Sequence, residues 1–125
     1  MTRPSASLLG LVFALNYWPV ARAAPPAIAQ TEINYLLGFI ELSGCQFYRN
    51  GSWYDSHQAQ AHLRSKYDAL AARGRIETAE DFIEQAATSS SLSGKAYAIK
   101  CTSGPIVTTN QWLREVLARY RSSAR

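Results

Sequence analysis

The chain is poor in the features that usually announce a function. It has no Cys-x-x-Cys pair for redox work and no Gly-x-Ser-x-Gly elbow for a serine nucleophile. Ser93-Gly94-Lys95 echoes the end of a phosphate-binding loop, but the first glycine and the following Ser or Thr are missing. The two histidines, His57 and His62, lie five apart and so do not share a helix face, which with Asp55 nearby still leaves no metal-ligand spacing. No cofactor and no metal are therefore predicted. No uninterrupted apolar run reaches the roughly 20 residues that span a bilayer, because Asn16 and Pro19 break the apolar N-terminal stretch. No internal repeat is present, and 125 residues leave room for one modest core and no second domain.

Charge is equally sparse. The 13 Lys and Arg include Arg3 and Arg22 near the N-terminus, so residues from 24 onward carry 11 basic against 9 acidic groups, a net of +2. Nucleic-acid binding needs a concentrated basic stripe, and none is seen.

What is present begins with a leader. Arg3 supplies a basic start, Leu8 to Leu15 an apolar segment, and Ala21-Arg22-Ala23 a small-x-small site, the three parts of a secretory signal. Residues 1–23 are read as a signal peptide cleaved after Ala23. This predicts a periplasmic protein with no stable membrane anchor after cleavage. Residues 24–30, with Pro25 and Pro26, read as a flexible tether, and 31–125 as a single domain. In an oxidising compartment exactly two cysteines, Cys45 and Cys101, predict one bridge; two free buried thiols are the alternative.

Periodicity then sets out an α+β domain of about four helices packed on a small antiparallel sheet, the hairpin plus one strand. Thr31 is placed to cap a first helix with Ile33, Leu36, Leu37 and Ile40 inward and Gly44 after its end. Cys45 to Asp55 reads as a hairpin about Asn50-Gly51, pairing Tyr48 with Trp53 and Phe47 with Tyr54. Asp55 with Gln58, Thr78 with Asp81 and Thr108 with Gln111 have capping-box spacing and open three further helices. Thr88 to Gly94 is a hydroxyl-rich break, Lys95 to Cys101 a strand, and Thr102 to Thr109 a loop.

With these residues laid out, the chain resembles the DUF5329 family, small exported proteobacterial proteins of unknown function. The stretches that carry the resemblance are Ser43 to Phe47, Arg49-Asn50-Gly51 with Tyr54, Ala61 to Arg64 with Lys66-Tyr67, Ala79 to Ile83, Ser90 to Lys95 with Tyr97, Cys101, and Trp112-Leu113. The resemblance implies a periplasmic location and a paired Cys45 and Cys101, and brings no catalytic assignment.

Two functions follow as expectations. The first is non-enzymatic binding of a protein or envelope component through Tyr48, Arg49 and Trp53, with His62 and Arg64 nearby, since aromatic rings beside arginine are common at recognition surfaces. Against it stands the reading of Tyr48 and Trp53 as core beneath a helix. The second is a small periplasmic hydrolase using His62 with a serine of the 89–93 loop. Against that, Ser and Thr in such loops ordinarily cap turns, and His62 is expected to pack beside Tyr67 or bond a backbone carbonyl.

Overall fold

A computed structural model describes residues 24–124. The leader, the cleavage site at Ala23 and Arg125 lie outside the described residues. The elements run α1 (Ala27–Leu42), β1 (Gln46–Arg49), β2 (Ser52–Tyr54), α2 (Ser56–Ala72), α3 (Ala79–Ala86), β3 (Ala98–Lys100), β4 (Ile106–Thr108) and α4 (Thr109–Ser123). The sheet is antiparallel in the order β2-β1-β3-β4.

The capping chemistry explains where the later helices start. Asp55 accepts from the Gln58 backbone at 2.8 Å while the Gln58 side chain accepts from the Asp55 backbone at 3.2 Å. Thr78 and Asp81 make the same reciprocal pair for α3, and the Thr108 hydroxyl accepts from Gln111 N–H at the start of α4. Each cap satisfies an orphan donor of the first turn, typically contributing about 1 kcal/mol.

Two expectations are corrected here. Thr31 is not a cap and residues 27–30 are not a tether: the helix begins at Ala27 behind Pro26. The fixed φ of Pro26 suits a position just before a helix, and its carbonyl accepts from Gln30 N–H at 3.0 Å. Ala29 lies four residues before Ile33 and is buried with it, so the apolar stripe extends one turn further back than the bulky residues mark. Thr31 sits inside the helix and donates to the Ala27 carbonyl. The second correction is a fourth strand within the segment read as a loop. The chain reverses at Gly104, whose N–H donates to the Cys101 carbonyl, and the β-branched run Ile106-Val107-Thr108 returns along β3 with Val107 opposite Ile99.

The hairpin forms as read. Asn50 (φ 50°) and Gly51 (φ 86°) adopt the left-handed pair that a two-residue turn requires, with Phe47 opposite Tyr54 and Tyr48 opposite Trp53. One face of the sheet is covered. Phe47 and Ile99 on that face join Ile33, Leu36, Leu37 and Ile40 of α1, Leu63 and Tyr67 of α2, Phe82 and Ile83 of α3, and Leu113, Val116 and Leu117 of α4 in one buried cluster. Cys45 and Cys101 are bonded, their Cα atoms 4.3 Å apart, tying the residue before β1 to the residue after β3. Closing a loop of 56 residues stabilises the fold by about 4 kcal/mol in the chain-entropy account. Among the described residues no helix is long and apolar enough to cross a membrane.

Candidate binding pocket between the hairpin and the second helix

Alternation along β1 decides which side chains meet α2. Phe47 and Arg49 lie on the covered face, whereas Tyr48 lies on the other. Arg49 reaches under the hairpin, its guanidinium 4.8 Å from the centre of the Tyr54 ring and its Nη1 3.1 Å from His62 Nδ1. The pleat sends the Arg49 side chain to the opposite side of the strand from Tyr48 and Trp53, while Tyr48 and Arg49 both border the pocket described below. Tyr48 and Trp53 do pair edge-on, 5.3 Å between centroids, and Trp53 is 41 % exposed, so no helix covers it. Arg64 does not line the pocket; it points to Asn34 of α1 at 3.5 Å.

His62 sits on α2 with its ring against Tyr97, not Tyr67, centroids 6.0 Å apart and Nε2 3.2 Å from the Tyr97 hydroxyl. Lys66, one turn later on the same helix face, places Nζ 3.3 Å from that hydroxyl and donates to the Ser89 carbonyl at 3.1 Å. Nη1 of Arg49 lies 3.1 Å from Nδ1 and 3.4 Å from Nε2 of His62, and because a guanidinium only donates, the ring accepts from it. Burial, then the charges of Arg49 and Lys66, hold the His62 pKa below its ordinary value and keep the ring neutral at neutral pH. Burial first and Arg49 second also lower Lys66, while burial raises Tyr97 against the pull of Arg49.

Arg49, His62 and Tyr97 border a concave pocket of about 340 Å³, with Phe47, Tyr54, Ala59 and Leu63 forming apolar wall and Thr109 at the start of α4 completing it. The pocket has a surplus of donors. The Tyr97 hydroxyl accepts from Lys66 Nζ and shares a hydrogen bond with His62 Nε2. Thr109, 1 % exposed, has a buried hydroxyl with no hydrogen-bond partner among the described residues. Among the described residues no carboxylate lines the pocket.

The serine loop is occupied otherwise. Asn50 donates to Ser90 Oγ at 3.0 Å and accepts from Ser93 Oγ at 2.6 Å, and Ser90 Oγ also receives the N–H groups of Leu92 and Ser93. These bonds lock the hairpin tip to the 88–94 turn and so fix Arg49, the residue before Asn50. No serine bonds His62, whose partners are Arg49 and Tyr97. Among the described residues no three His, Cys, Asp or Glu side chains gather as a metal site; His57 instead faces Glu41 at 3.3 Å, on the exposed flank.

Tyr54, Lys66, Tyr97 and Thr109 were not read from the sequence as site residues. The i, i+4 spacing of His62 and Lys66 was a usable signal, and so was the shared parity of Phe47 and Arg49. For Thr109 there was none, since a threonine after a helix cap looks like any other.

The molecule is thus a small disulfide-closed α+β domain with a donor-rich pocket between a hairpin and a helix. It belongs to the DUF5329 family, a family of unknown function whose model matches residues 27–121. It is 34 % identical over 97 residues to the uncharacterized protein YfeK of Salmonella typhimurium strain LT2, an alignment spanning 78 % of this chain and 77 % of that protein. No solved structure matches the chain significantly.

Proposed function

We propose that this protein is an exported periplasmic binding domain, non-enzymatic, which recognises an envelope component through the pocket formed by Arg49, His62 and Tyr97. The observation that carries this reading is the unpartnered Thr109 hydroxyl beside Arg49 in a pocket: buried polar groups are ordinarily satisfied, and an unsatisfied one costs about 1–3 kcal/mol. Such a cost persists in a fold chiefly where binding repays it. The leader sequence and the disulfide support export. Against the hydrolase reading, Ser90 and Ser93 are engaged with Asn50 and their own turn, and the partners of His62 among the described residues are Arg49 and Tyr97.

Expression of the full chain followed by fractionation and native mass spectrometry tests this. The expected product is periplasmic, oxidised, shorter by residues 1–23, and carries a co-purifying small molecule that Arg49→Gln loses and Trp53→Ala keeps. Retention of the leader in a cytosolic product would overturn export, and His62-dependent turnover of ester substrates would overturn the non-enzymatic reading. The exposed Trp53, paired edge-on with the half-buried Tyr48, favours one second reading, a protein partner on the outer sheet face. In that case Trp53→Ala, and not Arg49→Gln, abolishes capture.

A further inference from the structure

The proposed function leaves the ligand's chemistry open, and the pocket constrains it. The side of the pocket bordered by Arg49 and Thr109 has hydrogen-bond donors to spare. Arg49 offers further N–H groups beyond the one on His62, and the buried Thr109 hydroxyl has no partner. Lys66 behind Tyr97 adds a second positive charge, and among the described residues no carboxylate lines the pocket to neutralise either. The remaining wall is aromatic and aliphatic, from Phe47, Tyr54, Ala59 and Leu63. We infer that the pocket takes a compact amphipathic oxyanion, its carboxylate or phosphate head against Arg49, Tyr97 and Thr109 and its apolar body along Phe47, Tyr54 and Leu63. This rests on the reading of the pocket as the recognition site.

Physical reasons converge on that class. Two unneutralised cations in a half-buried, low-dielectric site attract an anion more strongly than they would in water. Charge-assisted hydrogen bonds are about twice as strong as neutral ones, and a planar guanidinium matches the paired oxygens of a carboxylate or phosphate. An inorganic ion alone leaves the apolar wall unused, whereas a neutral apolar molecule leaves the donors unpaired. A volume of about 340 Å³ lies at the small end of ligand pockets and excludes a bulky headgroup with long chains.

The test uses the oxidised protein and a matched series of probes: octanoate, octyl phosphate, octanol and inorganic phosphate, read by calorimetry and by chemical shifts of pocket residues in two-dimensional NMR. Octanoate or octyl phosphate binds at least tenfold more tightly than octanol and than inorganic phosphate, and perturbs Arg49, His62, Tyr97 and Thr109; whichever head binds better separates a carboxylate source from a phosphate source. Arg49→Gln weakens the anion about tenfold or more. Thr109→Val, nearly isosteric, weakens it severalfold while leaving the unliganded melting temperature unchanged or raised, which a hydroxyl needed for folding would not do. Octanol bound as tightly as octanoate would overturn the anion class and leave the pocket reading standing. Failure of both octyl anions to shift any pocket resonance also overturns it, while the co-purified molecule in native mass spectrometry judges the pocket reading separately.

Discussion

Two half-buried arginines in this protein are treated in opposite ways. Arg121 of α4 bonds the buried Glu32 of α1 through Nε and Nη2 at 2.8 and 2.9 Å, and Glu80 of α3 at 2.7 and 2.9 Å. Its charge is answered twice, three helices are clamped together, and both the Arg121 and Glu80 ionisations are pushed toward the charged forms by those bonds. Arg49 meets a neutral imidazole and an aromatic ring, and its nearest charged neighbour in the site is another cation, Lys66. An arginine whose donors all end on carboxylates of its own chain holds the fold together. One whose donors are left over has no such part in the fold and is free to serve the proposed ligand.

That contrast can be broken or sharpened by substitution. The largest effect should come from the staple on which the pocket side depends: Cys45→Ser with Cys101→Ser is expected to cost about 4 kcal/mol, read as a fall in urea midpoint relative to the oxidised protein. Equal midpoints would show that the bridge does not restrain the unfolded chain. Next, Arg121→Met strands Glu32, 7 % exposed, and is expected to cost about 2 kcal/mol, less than the 3–5 kcal/mol of a fully buried pair because Arg121 and Glu80 are partly solvated. The Glu80 pKa is lowered chiefly by its bond to Arg121, so its stabilisation is present above the unfolded carboxylate value and is lost as pH falls through the folded one. The variant should therefore lose less stability than the parent on acidification below about pH 4.5.

Arg49→Met, the same chemical change on the other side of the comparison, should alter stability by less than about 0.5 kcal/mol, since no internal ion pair is lost. A loss as large as that of Arg121→Met would make Arg49 structural and erase the distinction. The smallest effect is in pH dependence. His62 in the folded state binds its proton less tightly than in the unfolded chain, so stability should decline as pH falls from about 6.5 toward the lowered folded value. His62→Gln should flatten that decline, measured by melting temperature from pH 7 to pH 5, and Arg49→Met should move the His62 NMR titration back upward.

Much of the fold was readable because its signals are local. Asp55, Thr78 and Thr108 cap the helices they precede, and Asn50-Gly51 turns the hairpin with the expected register. The misreadings also had local causes: Ala29 is too small to mark an apolar stripe, and three residues are too few for β4 to show alternation. The candidate site was half visible. Arg49 and His62 stand out in the sequence, whereas Tyr97 reads only as an inward strand residue. Of the stretches that carry the family resemblance, Arg49-Asn50-Gly51, Tyr54, His62-Leu63, Lys66, Ser90 to Ser93 and Tyr97 gather around this one pocket or brace it.

The sequence by itself determined the element types, their caps, the hairpin turn and the class of domain, because hydrophobic period, capping and turn chemistry act over a few neighbouring residues. Only the tertiary structure decided that Arg121 is neutralised and Arg49 is not, that Tyr97 lies between His62 and Lys66, and that the Thr109 hydroxyl is buried without a partner. Charge balance and hydrogen-bond satisfaction depend on residues 30 to 90 positions apart being brought within about 3 Å, and no local pattern in the chain encodes that meeting.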